Sequence, residues 1–178
     1  MLGVLRMKFH SPHETEVKIR IPNIESTRTL LESLSFILET ELQEEVSTLW
    51  DREGSLKAHD AALRLRIYKG RTSLTFKGPR IPHPEFKIRP ESEVTVSDPI
   101  QMESILRNLG YQPVLSMIKQ REIWRRPELV ACIDLTPFGC FLEVEGEASA
   151  LKLALETLCT DPGRIEKRDY PTLYEAHR

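Results

Sequence analysis

The sequence predicts an α+β fold: an eight-stranded antiparallel β-barrel with a charged interior and helices packed outside. Three observations lead there. Eight candidate strands follow one another, linked mainly by hairpins or single helices, and an even number of antiparallel strands can close into a barrel without leaving edges. Along most of them alternate residues divide into an apolar face and a charged face, because successive side chains of a strand point to opposite sides. Three candidate helices each carry one apolar stripe, which must cover something apolar. The apolar strand faces are the available partners, so the charged faces turn inward. This inverts the usual small barrel, whose interior is filled by hydrophobic side chains.

The clearest strand comes first. Glu14, Glu16, Lys18 and Arg20 share one face, while Thr15, Val17, Ile19 and Ile21 share the other. Pro22-Asn23 breaks the pattern, and Leu30, Leu31, Leu34, Ile37 and Leu38 fall at helical spacing. That spacing predicts a helix from about Ser26, its cap, to Phe36. Gln43–Trp50 reads as a second strand, followed by the turn Asp51-Arg52-Glu53-Gly54. Alternation returns over residues 61–69, with Leu63, Leu65 and Ile67 opposed to Arg64, Arg66 and Tyr68. Lys69-Gly70-Arg71 turns this strand into Thr72–Gly78, making a hairpin.

A proline-rich link, residues 79–84, leads into a fifth strand, Glu85–Val96, with Lys87, Arg89, Glu91 and Glu93 on one face. Pro90 cannot donate to a ladder and predicts an edge or a bulge there. Asp98 caps the next helix, Pro99 opens it and Gly110 ends it; Met102, Ile105, Leu106 and Leu109 form its stripe. Ser116–Arg125 is the sixth strand, with Lys119 and Arg121 together on one face. Leu129–Leu135 and Cys140–Glu145 form a second hairpin, aligning Asp134 with Glu143 and Glu145. A third helix spans about Ala148–Cys159, and in the polar tail only Ile165, Tyr170 and Leu173 offer anchorage.

The whole chain, 178 residues, suits a single domain: core motifs over 14–146 and a C-terminal helix and tail over 147–178. A net charge of −2 excludes a non-specific nucleic-acid binder. No apolar stretch approaches the ~20 residues a membrane helix needs. The first ten residues are too short and charged for a signal peptide, which predicts a cytoplasmic protein, and Met7 is a second candidate start. Cys132, Cys140 and Cys159 lack metal-site spacing and read as reduced thiols. His10, His13, His59, His83 and His177 show no ligand spacing, and Trp50 and Trp124 read as packing residues.

The inward faces hold Lys18, Arg64, Arg66, Lys77, Lys87, Arg89, Lys119 and Arg121 against Glu14, Glu16, Glu91, Glu93, Asp134, Glu143 and Glu145. Two like charges ~4 Å apart repel by about 4 kcal/mol at an effective dielectric of 20. Such crowding needs opposite charges, ions or a ligand. Buried ion pairs rarely repay their desolvation, which favours a solvated binding tunnel over a purely structural network. Many cations on several strands suit a polyanion such as a triphosphate, and gathered carboxylates suit Mg²⁺ or Mn²⁺. Together they suit metal-assisted phosphoryl or nucleotidyl transfer.

In these residues the chain resembles the CYTH superfamily of triphosphate tunnel metalloenzymes, which includes class IV adenylate cyclases, thiamine triphosphatases and inorganic tripolyphosphatases. The likeness is carried by Glu14-x-Glu16-x-Lys18, Arg64-Leu65-Arg66, Leu74 through Pro79, Lys87 through Glu93, Lys119-Gln120-Arg121 and Asp134, then Phe141 through Gly146. Tyr170 is similar to a tyrosine near the family's C-terminus. The resemblance implies an eight-stranded tunnel. Glu14, Glu16, Glu143 and Glu145 become metal ligands, with Asp134 a helper, and Glu91 and Glu93 either ligands or holders of the arginines. The eight cations become triphosphate-gripping residues, and Glu14, Glu16 and Lys18 the catalytic edge. It implies an ATP-cyclising enzyme, with hydrolysis of thiamine triphosphate or tripolyphosphate as one alternative and a non-catalytic polyphosphate or nucleotide binder as another. It also admits a homodimer.

Overall fold

The computed structural model describes residues 13–177; Met7 and His10, named above, lie outside them. The elements run β1 (His13–Ile21), α1 (Ile24–Ser33), β2 (Ile37–Asp51), α2 (Ser55–Ala58), β3 (Ala62–Tyr68), β4 (Arg71–Lys77) and β5 (Lys87–Val96). They continue with α3 (Pro99–Asn108), β6 (Gln112–Arg126), β7 (Leu129–Thr136), β8 (Gly139–Gly146), α4 (Ala148–Leu158), a 3₁₀ turn (Pro162–Arg164) and α5 (Tyr170–His177). All strand pairs are antiparallel and close in the order β1-β5-β4-β3-β2-β6-β7-β8.

The apolar core lies outside the barrel, as the split strand faces require. One cluster joins Val17 and Ile19 of β1, Ala131 and Ile133 of β7, and Leu142 and Val144 of β8 to Leu31 of α1 and Leu151, Ala154 and Leu158 of α4. A smaller one joins Trp50, Leu65 and Val96 to Leu106 of α3. Residues one position along the same strands face the lumen.

Several boundaries differ from the sequence expectation. The cap of α1 is Asn23, whose side chain accepts a bond from the Ser26 amide at 3.0 Å; Ser26 already lies inside the helix. α1 stops at Ser33 because Ser35 turns left-handed at φ 62°, and the Phe36 amide closes back on the Leu31 carbonyl. Ile37 and Leu38, which continued the helical spacing, instead open β2 and are 74% and 41% exposed. Register shifts between Leu38 and Thr40 and between Thr40 and Gln43 disturb the alternation of β2. That hid its first half.

Pro90 sits at neither a free edge nor a bulge. β5 pairs with β1 through residues 87–90 and with β4 through 91–96, and Pro90 stands at the handover. Its carbonyl accepts from the Gly78 amide at 2.8 Å. Gly146 ends β8 where a Cβ would lie 2.0 Å from the Glu128 carbonyl oxygen, so only glycine permits this closure behind Glu145. The tail is more ordered than its polarity suggested. Ile165 bridges to Ile19, and Leu173 of α5 is buried.

Candidate functional site: a charged tunnel

The register places the predicted charges in the lumen in three groups. Toward one side, Arg64 and Arg66 of β3 and Lys119 and Arg121 of β6 surround Glu45 of β2. Glu45 is 1% exposed and lies 3.5 Å from Lys119, 3.7 Å from Arg121 and 3.9 Å from Arg66. Sequence reading missed it, since Glu44 and Glu45 adjoin on a strand of irregular alternation. Burial alone would raise the Glu45 carboxyl, but Arg121, Lys119, Arg64 and Arg66 outweigh it and hold it at about 2.

The match between these charges is incomplete. Among the described residues, the buried Arg64 Nε and Glu45 Oε2 have no hydrogen-bond partner. An unpaired buried donor is costly, and an anion entering here would satisfy it.

At the centre, Arg121 binds Asp134 with two nitrogens at 2.6 Å and Glu143 at 2.5 Å. Lys119 reaches Asp134 at 3.0 Å, and Lys18 lies 3.5 Å from Glu143. Burial would raise the Glu143 carboxyl, yet Lys18, Arg121 and Lys119 keep it well below the usual range. The Tyr170 hydroxyl donates to Asp134 at 2.6 Å, beneath the Lys18 and Lys119 ammonium groups, 3.8 and 4.4 Å from its ring centre. Burial, then Asp134 and Glu143, push that phenol well above its ordinary range, so it stays a neutral donor. Asp134 is thereby saturated by Arg121, Lys119 and Tyr170.

The third group is acidic. Glu14 bonds Lys77 at 2.5 Å, Glu91 reaches the same ammonium at 3.0 Å, and Glu16 bonds Lys87 at 2.7 Å. Glu145 pairs with Glu16 across β1 and β8 and, among the described residues, makes no ion pair. Desolvation by the tunnel wall, then Glu14, Glu91 and Glu16, push its carboxyl up to about 7 despite the opposing Lys77; solvent reaching its exposed edge weakens the effect. Among the described residues no three carboxyl groups converge at metal-ligand spacing, because Lys77 and Lys87 sit between them. The donor set itself, four carboxylates with Glu145 repelled by its neighbours, fits a hard divalent cation.

Two predicted residues have other partners. Arg89 donates to the Gly78 carbonyl at 2.7 Å and lies 3.3 Å from Asp60, so it ties loops together. Glu93 accepts from Arg66, Ser73 and Thr75, the arginine-holding alternative. Arg20, on the charged face of β1 but outside the predicted inward set, pairs with Glu166 of the tail, a partner the alternation could not give. Cys132, Cys140 and Cys159 are free, and burial pushes the Cys132 thiol up to about 12. It is chemically quiet.

Glu45 gives the cluster a pH signature. Its folded carboxyl is held below its ordinary 4.5, so its contribution is fully present above pH 4.5 and lost as pH falls toward about 2. Glu45→Gln should therefore flatten the acid limb of the stability curve in that window, measured by denaturant unfolding at stepped pH. An unchanged acid limb would remove Glu45 from the account.

A closed antiparallel barrel with opposed cationic and acidic walls defines a tunnel protein for a charged ligand. The CYTH domain profile matches residues 12–160, and this chain belongs to that family; it is a triphosphate tunnel domain. A Methanocaldococcus jannaschii protein named "putative adenylate cyclase" is 33% identical over 139 residues, covering 76% of this chain and 78% of its own. The fold also matches an X-ray structure of a "putative adenylate cyclase" from Vibrio parahaemolyticus. There the TM-score is 0.79 and identity 20%, over 91% of this chain and 97% of that one. A Hippeastrum "putative adenylyl cyclase", described as revealing a dominant triphosphatase activity, matches with TM-score 0.68 and 19% identity, over 93% and 96% of the two chains. Among the described residues no helix is long and apolar enough to cross a membrane.

Proposed function

We propose that this chain is a Mg²⁺- or Mn²⁺-dependent enzyme of triphosphate substrates that converts ATP to cyclic AMP and pyrophosphate, as a class IV adenylate cyclase does. The observation that carries the reading is the lumen itself. Four cations from two strands gather around Glu45, and one of them, Arg64, has a buried nitrogen with no acceptor among the described residues, opposite a wall of crowded carboxylates. A pure anion binder has no need of those carboxylates.

In this reading Arg64, Arg66, Lys119 and Arg121 grip phosphate oxygens, with Lys18, Lys77 and Lys87 completing the cradle. Fixed donors of this kind stabilise charge that develops during transfer without reorganising. Glu14, Glu16 and Glu145, with Glu143 and Glu91 beside them, would hold the divalent ion. When bound, that ion would neutralise phosphate charge and help activate the attacking oxygen. Lys77 and Lys87, now paired with Glu14 and Glu16, would turn toward the substrate's phosphates. The tunnel wall holds the chain of phosphates straight, so that the ribose 3′-hydroxyl meets the α-phosphate and pyrophosphate departs in line.

One observation favours a second reading. The Hippeastrum protein of the same fold is described as having a dominant triphosphatase activity, so hydrolysis of tripolyphosphate or thiamine triphosphate is the alternative. Purified protein incubated with Mg²⁺ or Mn²⁺ and each of ATP, thiamine triphosphate and tripolyphosphate, with products identified, separates these. Cyclic AMP and pyrophosphate are expected from ATP. Phosphate release alone would establish the hydrolase, and binding without turnover would leave a polyphosphate-binding module.

A further inference from the structure

β1 and β5 part company after the Glu16–Lys87 pair. Beyond it, the edge of β1 is taken by the tail, through the Ile19–Ile165 bridge and the Glu166 amide bonding the Lys18 carbonyl at 2.8 Å. On the opposite edge of β5, Ile88, itself still paired with Thr15 of β1, is bridged by Ile81 of the β4–β5 loop, which brings that loop up beside the parting. The parted strands leave a cavity of about 240 Å³ between loop and tail, whose floor includes Glu16, Lys18 and Lys87 of the lumen. It shares those three residues with the phosphate tunnel and extends outward past Val17, Phe86 and Ile88.

Its walls differ from the tunnel's. Ile81, Pro82, His83 and Pro84 line one side, and Ile165 and Lys167 the other. Ile81 is 39% exposed although its backbone is paired. The His83 ring stacks on Phe86 at 5.1 Å and 10°, and its Nδ1 accepts from the Phe86 amide at 3.0 Å, which holds a flat face at the chamber wall. Rigid prolines and a pinned imidazole suit a planar, apolar group. The lining charge is five cations, Lys18, Arg80, Lys87, Lys167 and Arg168, against three carboxylates, Glu16, Glu85 and Glu166. A cationic organic group is disfavoured there.

We infer that this chamber holds the neutral aromatic base of a nucleoside triphosphate while the phosphates enter the tunnel, so that the chain selects nucleotides over thiamine triphosphate and over bare tripolyphosphate. The inference rests on the triphosphate reading of the tunnel and adds the substrate's organic half. Ile81 is the selective probe, since it lines the chamber, it carries no charge of the phosphate cradle, and its backbone bridge survives substitution.

Titration calorimetry of the full chain with ATP, thiamine triphosphate and tripolyphosphate, each with Ca²⁺, tests it without requiring turnover. The wild type should bind ATP at least ten-fold tighter than either competitor. Ile81→Gln, with an unchanged melting temperature, should weaken ATP about five-fold and leave tripolyphosphate within two-fold. Equal affinity for ATP and tripolyphosphate, or an equal effect of Ile81→Gln on both, would overturn the chamber assignment and leave the triphosphate tunnel standing. No binding of any of the three would overturn both.

Discussion

Glu14→Ala and Glu16→Ala should each lower turnover by roughly 10²–10³-fold or more, the scale seen when one electrostatic contributor to a transition state is removed, while the protein stays folded. Both side chains face the lumen and pack against no apolar cluster. Their loss leaves the partner ammonium groups compensated or wet. Lys77 keeps Glu91 at 3.0 Å, and Lys87 borders the open chamber. Water can fill the vacated volume. Glu14→Gln sharpens the test, because an amide oxygen still accepts from Lys77 but is a poor ligand for a hard divalent cation. Near-normal metal-dependent turnover in both alanine variants, measured by product formation, would take these two residues out of the mechanism.

Arg121→Ala should cost about 3–5 kcal/mol of stability, the range for removing one partner of a buried ion pair. Arg121 is 8% exposed and serves three carboxylates at once, Asp134, Glu143 and Glu45. Removing it strands Asp134 on Lys119 and Tyr170, and leaves Glu143 to Lys18 alone among close partners. Arg121→Lys should recover little, since a single ammonium cannot reproduce the two-pronged bond to Asp134. Arg121→Met combined with Asp134→Asn should recover part of the loss, because the double change removes both charges. Chemical denaturation of the three variants beside the wild type measures this. A loss below about 1 kcal/mol in Arg121→Ala would mean that the cluster is hydrated rather than buried and paired.

Much of the tunnel was legible because strand alternation is a strong signal once it repeats. Glu14, Glu16 and Lys18 alone fit a solvated face as well as a lumen. Set beside Arg64-x-Arg66, Lys119-x-Arg121 and Glu143-x-Glu145, they had to face one another, since the apolar residues between them supply the surface that α1, α3 and α4 cover. Glu45 was hidden by the register shifts that begin β2, which place two consecutive glutamates where either face was open. Tyr170 was visible as an anchor of the tail, but its bond to Asp134 was not. Its role depends on the tail crossing back to β1 through Ile165, a long-range contact with no periodic trace. The pairing of Arg89 with Gly78 and Asp60 is equally non-local, and alternation correctly gave its face but not its partner.

If the lumen is a polyanion site under electrostatic tension, a bound polyanion relieves that tension and stabilises the fold. A ligand that binds only the folded state at 100 times its Kd adds about 2.7 kcal/mol. For a chain of this size that corresponds to a rise in Tm of roughly 5–10 °C. Thermal unfolding of the full chain with millimolar tripolyphosphate and Mg²⁺ should show that rise, with Arg64→Ala showing a clearly smaller one. A Tm that does not move at millimolar tripolyphosphate, with or without the metal, would contradict the tunnel's assigned purpose.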